Sequence, residues 1–258
     1  MYQYLMYLFG AKIIMSIKIL VNGANGRMGK EVVNAVSDDS ELSFVGGCDI
    51  EDNLEDVIKN LKPQVVVDFT SPVSVFKNLK TIINLNVCPV VGTTGLKEEE
   101  INEAKKLCEE KNLGGLIAPN FAIGAVLLME FAAKASKYMP YMEIIELHHD
   151  KKIDAPSGTA LKTAEKISKE RAKFKENIIP NEKILDGARG TRYKDIQIHS
   201  VRLPGLIAHE EVIFGGTGQT LTLRHDSFNR ESFMPGVVYA CKKVTSLNKL
   251  YYGLEEIL

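Results

Sequence analysis

Hydrophobic and polar positions fall into alternating blocks along this chain, with short β-branched runs separated by longer stretches of helical spacing. From Ile17 the run IKILV predicts a strand, followed by a glycine loop and a helix whose Met28, Val32, Val33 and Val36 share one face. The alternation repeats, with strands predicted at 42–48, 65–69, 87–91 and 116–118 and helical stretches near 54–61, 73–85 and 97–112. Several of these runs are apolar throughout rather than alternating. Such strands are buried on both faces, which implies a parallel sheet with right-handed crossovers, that is, a doubly wound, Rossmann-like dinucleotide-binding domain.

Beyond Asn120 the texture changes. A long apolar helix over 123–138 leads into a strand at 142–147 and then into the densest polar cluster of the chain. Strands near 195–203, 209–215 and 219–225 follow, and Gly215-Gly216-Thr217-Gly218 joins the last two as a hairpin. The expected second domain is therefore smaller and α+β, with a mixed or antiparallel sheet whose edges and apolar face favour self-association. A final helix over 231–244 has no sheet of its own and is expected to return to the first domain. Residues 15–120 with 230–258 then form the dinucleotide-binding domain, and 121–229 the substrate-binding and oligomerisation domain.

Composition narrows the function classes. At 45% hydrophobic and 25% charged, the chain is ordinary globular protein, long enough for two cores. A net charge of -1 provides no global attraction to nucleic acid or to an anionic bilayer, so neither is an expected partner and any anionic ligand must be held by a local cluster. Cys48, Cys88, Cys108 and Cys241 lie far apart with no metal-ligand or redox spacing, so they read as reduced thiols of a cytoplasmic protein and no metal is expected. The apolar segment 1–14 lacks a basic leader and a cleavage site and is too short to span a bilayer, which makes Met15 the expected functional start.

Between the first strand and helix lies Gly23-Ala24-Asn25-Gly26-Arg27-Met28-Gly29, where backbone N–H groups and a helix N-terminus can face a pyrophosphate. Its spacing is G-x-x-G-x-x-G, with Asn25 at the position of the usual middle glycine, and Asn tolerates left-handed backbone better than most residues. Asp49 ends the second strand, where a carboxylate can accept from the adenosine ribose hydroxyls, so NADH is the favoured cofactor. Ile50 follows instead of an arginine that would neutralise a 2′-phosphate, while Arg27 and Lys30 keep NADPH open. Two further strand ends, 68–71 and 92–95, place small and hydroxyl residues at the carboxyl edge of the sheet, where ligands of open α/β folds bind.

The segment ELHHDKKIDAPSGTA, residues 146–160, concentrates cations beside a helix start. Asp154 or Ser157 can cap that helix, Pro156 suits its first turn, and Gly158 and Thr159 leave N–H groups for a carboxylate. Neighbouring strand residues face opposite ways, so His148 and His149 share a site only if the chain leaves extended geometry there. Cations in this arrangement suit reduction of an anionic substrate, with hydride from nicotinamide and a proton from a lysine or imidazolium. A Ser157 nucleophile is disfavoured because the segment lacks G-x-S-x-G.

GANGRMG, VDFTSP, VGTTG, APNFAIG and above all ELHHDKKIDAPSGTA, in that order, resemble the dihydrodipicolinate reductase family over nearly all of 16–258. The resemblance implies NAD(P)H-dependent conversion of 4-hydroxy-tetrahydrodipicolinate to tetrahydrodipicolinate and water, on the diaminopimelate and lysine pathway. It implies His148 and Lys152 as proton donors, and His149, Gly158 and Thr159 as contacts to the dicarboxylate. The implied cofactor contacts are Gly23, Ala24, Asn25, Gly26, Arg27, Met28, Asp49, Gly92, Thr93, Thr94, Pro119, Asn120, Phe121 and Ala122. It further implies a homotetramer joined through the second sheet, and hinged closure. Two other readings stay open: another aspartate-pathway dehydrogenase, which would lack the His-His-Lys turn, and a nucleotide-sensing module that has lost turnover.

Overall fold

The computed structural model describes residues 16–174 and 184–258, so the segment 1–14 lies outside the described residues. The chain divides into two compact units. One comprises the described part of Met1–Pro119 together with Val237–Tyr252, and the other Asn120–Gly236 with Gly253–Leu258.

The first unit is built on β1 (Ile17–Asn22), β2 (Leu42–Cys48), β3 (Val65–Asp68), β4 (Cys88–Val91), β5 (Gly115–Ile117) and β11 (Leu250–Tyr252), ordered β11-β5-β4-β3-β1-β2 and parallel throughout. All four residues of β3 are buried, as the apolar runs require of central strands. Helices α1 (Arg27–Asp38), α2 (Leu54–Leu61), α3 (Val75–Asn84) and α4 (Glu98–Glu110) connect the strands, and each predicted element lies within a residue or two of its observed counterpart. Two details differ. The buried stripe of α1 is Gly29, Val32 and Val36, with Met28 and Val33 only half-buried, because Gly29 lies against the preceding loop. The three-residue strand β11 was not predicted; it is short and gains strand geometry only by pairing with β5. Strand order reverses between β1 and β3. Right-handed crossovers therefore send helices to opposite faces and open a crevice at the carboxyl ends of these two strands.

The second unit holds α5 (Ile123–Ser136), β6 (Tyr141–His148), α6 (Gly158–Glu170), β7 (Thr191–Tyr193), β8 (Ile196–Arg202), β9 (Ala208–Gly216) and β10 (Gln219–Ser227), with sheet order β10-β9-β6-β8-β7. β9 and β10 form the expected hairpin, but β8 is not the next member of an antiparallel series. It pairs parallel with β6 and antiparallel with the unpredicted β7, and β6 separates it from β9. The sheet is thus mixed. Met142 and Ile144 of β6, Ile196 and Ile198 of β8, and Val212 and Phe214 of β9 pack in one core with Leu128 and Ala132 of α5 and Ala160, Ala164 and Ile167 of α6. The final helix begins as a 3-10 turn over Arg230–Phe233 and becomes α-helical as α7 (Met234–Val244).

Candidate active site

In the first unit, two glycines of the loop after β1 have their own steric reasons. Gly23 carries φ +84°, and a Cβ there would lie 2.4 Å from the Phe69 carbonyl oxygen. A Cβ on Gly29 would lie 2.0 Å from the Gly23 carbonyl oxygen, so α1 can start this close to the loop only without a side chain. Among the described residues of this loop the left-handed position is Gly23 and not Asn25, which corrects the expectation for the asparagine. The Asn25 N–H instead donates to the Asp49 carboxylate at 2.9 Å, and the Ile50 N–H donates to its other oxygen at 3.0 Å. Asp49 is thereby aimed at the loop and retains acceptor capacity on both oxygens. No side chain caps α1 and no acidic residue stands in its first turn, the electrostatic setting that suits a pyrophosphate. These features fit a nicotinamide dinucleotide.

Beside that loop, the fully buried Asp68 carboxylate accepts from Asn22 Nδ2 at 2.7 Å, Asn78 Nδ2 at 3.0 Å, Thr70 Oγ1 at 2.8 Å and Thr93 Oγ1 at 2.7 Å. One side chain so ties together the ends of β1, β3 and β4. Thr93, an expected cofactor contact, is buried, and its hydroxyl also accepts from the Thr70 N–H, so it serves this network. Thr94 is exposed, and Gly92 lies against the Phe69 ring, where a Cβ would come within 2.1 Å. Pro119 is exposed. In the second unit Asn120 Oδ1 accepts from the Ala122 N–H at 2.9 Å, while the Phe121 side chain is buried, leaving its backbone as the part able to meet a ligand.

The polar cluster of the second unit is organised by a residue that sequence reasoning did not single out. Glu146 alternates with Met142 and Ile144 on the core face of β6 and is completely buried. Its Oε2 meets His148 Nδ1 at 2.5 Å, and Arg202 of β8 grips it in a fork, Nη1 to Oε2 at 2.8 Å and Nη2 to Oε1 at 2.7 Å. The Ser157 N–H also donates to Oε1, at 3.2 Å. Burial alone would raise the Glu146 carboxyl, but hydrogen bonds from His148, Arg202 and Ser200 outweigh it and bring it down to about 2. An ionised carboxylate only accepts, so Nδ1 of His148 carries the proton and Nε2 is the atom left for chemistry.

His148 closes β6, whereas His149 lies past the strand and is exposed, as the expected departure from extended geometry requires. Lys152 Nζ pairs with Asp154 Oδ1 at 2.8 Å. That hydrogen bond lowers the Asp154 carboxyl, assisted by its own N–H and that of Gly158. The Gly158 amide is therefore already turned toward an anion within the chain. Ser157, not Asp154, caps α6, accepting from the Ala160 N–H at 3.1 Å. Pro156 precedes the cap, outside the first turn where it was expected, and its bond to Ala155 is cis. Thr159 is half-buried in the first turn. Across the sheet Glu210 of β9 stands directly opposite Glu146; burial raises its carboxyl to about 7, Thr163 opposes that shift, and the Glu146 charge adds to it. Glu146 had a signal in the sequence, a carboxylate two residues before His148 on the apolar face. Arg202 lies far along the chain and had none.

Family models for dihydrodipicolinate reductase match this chain twice, the N-terminus over residues 17–121 and the C-terminus over 124–258. The chain belongs to the dihydrodipicolinate reductase family, and so to the oxidoreductases. A 4-hydroxy-tetrahydrodipicolinate reductase of Legionella pneumophila is 51% identical, with 95% of this chain and all of that protein covered. One of Syntrophomonas wolfei is 50% identical, covering 93% of this chain and 98% of the relative. The dipicolinate-bound dihydrodipicolinate reductase of Paenisporosarcina superposes with a TM-score of 0.89 at 45% identity, covering 95% of this chain and 100% of that one. A probable dehydrogenase of Thermotoga maritima, at 11% identity and a TM-score of 0.61, shares the fold alone.

Proposed function

We propose that this protein catalyses NAD(P)H-dependent reduction of 4-hydroxy-tetrahydrodipicolinate to tetrahydrodipicolinate and water, in diaminopimelate and lysine biosynthesis. The observation that carries this reading is the joint placement of His148, Lys152 and the Ser157-capped start of α6 on one buried carboxylate, Glu146, and its neighbouring turn. The dipicolinate seen in the Paenisporosarcina relative is a planar dicarboxylate, the ligand class such a cationic turn and helix start would take.

Gly23, Ala24, Asn25, Gly26, Arg27 and Met28 would hold the pyrophosphate side of the dinucleotide and Asp49 its ribose, with Gly92, the backbone of Thr93, Thr94, Pro119, Asn120 and the backbone of Phe121 and Ala122 as further contacts. When bound, the reduced nicotinamide supplies hydride. His149, Gly158 and Thr159 bind the substrate carboxylates, while Lys152, and His148 in its imidazolium form through Nε2, deliver a proton to the atom that becomes carbanionic or anionic nitrogen. Release of Lys152 from Asp154 by a substrate carboxylate would free its ammonium for this task. Asp49 favours NADH at least as strongly as NADPH.

The assembly is a homotetramer in the cytoplasm. Its support is the second face of the mixed sheet, where Ile145, Leu147, Val201 and Ile213 alternate with the core residues and remain half-buried. Among the described residues, no helix is long and apolar enough to cross a membrane. The deciding experiment generates the unstable substrate with its upstream synthase and follows NADH and NADPH absorbance. Oxidation of neither cofactor would refute the assignment and favour a sensor or another dehydrogenase.

A further inference from the structure

We infer that Glu146 is the positioning residue of this site, orienting the His148 imidazole through one carboxylate oxygen and the substrate-binding start of α6 through the other. This rests on the proposed function for the roles of His148 and of the α6 terminus, but its geometry stands apart from them. Oε2 faces His148 Nδ1 and Oε1 receives the Ser157 N–H, so a single rigid group fixes the proton donor and the helix end that receives the substrate. Arg202 makes this possible. Its guanidinium neutralises Glu146 with a two-point fork, and Nη1 and Nη2 also donate to the carbonyls of Val201 and Asp154. The second of these bonds anchors the turn that carries Lys152. Both terminal nitrogens of Arg202 are thus committed to holding the site together, its buried Nε has no partner, and the cations of the turn remain to meet a dicarboxylate.

Orientation of this kind has chemical content. An imidazole free to rotate or change tautomer presents the correct nitrogen only part of the time, and a helix end that shifts by an ångström loses its alignment with the carboxylate. The ionised state of Glu146, held by Arg202 and Ser200, keeps it an acceptor throughout. Glu210 stands opposite it on β9 with an Oε1 that has no hydrogen-bond partner, so His148 and the Ser157 N–H converge on Glu146 and not on Glu210.

Four measurements test the inference. In the wild-type protein, nitrogen-15 NMR of the histidine side chains should show neutral His148 as the Nδ1–H tautomer, and an Nε2–H tautomer would overturn the proposal without any variant. Glu146→Gln should lower kcat by about 100-fold or more and weaken dipicolinate binding about tenfold, with NADH affinity, read by fluorescence, within about twofold of wild type. Wild-type kcat and dipicolinate affinity in that variant would refute it. Because Glu146→Gln leaves Arg202 unpaired and can unfold the unit, the double variant Glu146→Gln/Arg202→Met removes both charges. A positioning role predicts that this variant recovers thermal stability but not kcat, and recovery of both would reduce Glu146 to a structural ion pair. If His148→Gln leaves kcat unchanged, the proton-donor reading falls, while the tautomer and dipicolinate results still decide the role of Glu146.

Discussion

Lys152 and Lys151 are neighbours in sequence but differ in surroundings. Lys152 is half-buried and paired with Asp154, while Lys151 is exposed. Lys152→Ala is expected to lower kcat by roughly 10²–10⁴-fold, the usual contribution of general acid catalysis, with NADH affinity unchanged. Lys151→Ala should mainly raise the substrate KM, by weakening the local positive potential. Steady-state kinetics on both variants checks the contrast, and the reverse pattern would exchange the two assignments. Glu210 gives a residue-level prediction about pH. Its folded-state pKa, raised from 4.5 to about 7, means that the native protein holds a proton the unfolded chain releases, so its contribution to stability is present below about pH 4.5 and lost as pH rises through about 7. Glu146 has the opposite sign, contributing above about pH 4.5 and losing that contribution as pH falls toward about 2. Glu210→Gln should therefore raise Tm at pH 8 by more than at pH 5, and calorimetry at the two values decides it.

Two elements are positioned for ligands by their first turns. For α6 the Ser157 cap is the determinant, and Ser157→Ala should cost about 1 kcal/mol of stability and weaken dipicolinate binding, because it removes the hydroxyl that holds the Ala160 N–H and with it the first turn, although the Ser157 N–H keeps its bond to Glu146. Denaturant melts and a dipicolinate titration read the two effects separately. For α1 the determinant is the absence of side chains at Gly23 and Gly29. Gly23→Ala meets the Phe69 carbonyl and a φ that alanine disfavours, and is expected to abolish NADH binding measured by fluorescence while leaving dipicolinate binding to the second unit intact. Loss of both would mean that the substitution unfolds more than the loop.

For the whole molecule, light scattering should give the mass of four chains, and a charged residue on the second face of the mixed sheet, such as Ile145→Glu, should dissociate it. A wild-type monomer with full activity would remove the homotetramer from the proposal. The strands of the first unit and its doubly wound class followed from alternation of apolar runs and helical spacing, because central parallel strands are buried on both faces and leave that signature locally, whereas the order of those strands and its reversal were set by their pairing. Local sequence likewise carried the glycine loop, Asp49, and the turn with His148, Lys152, Ser157 and Gly158, since each is a short segment whose chemistry and spacing are self-contained. Tertiary structure decided the rest. β7 and β11 are three-residue strands that exist only through their partners, β8 found its parallel place beside β6 through pairing over a long sequence separation, and Asp68 became the knot of three strand ends only when they converged. The same holds for the fork of Arg202 on Glu146: a charge can be buried only where its partner is delivered by another strand, and no local pattern records which distant residue will deliver it.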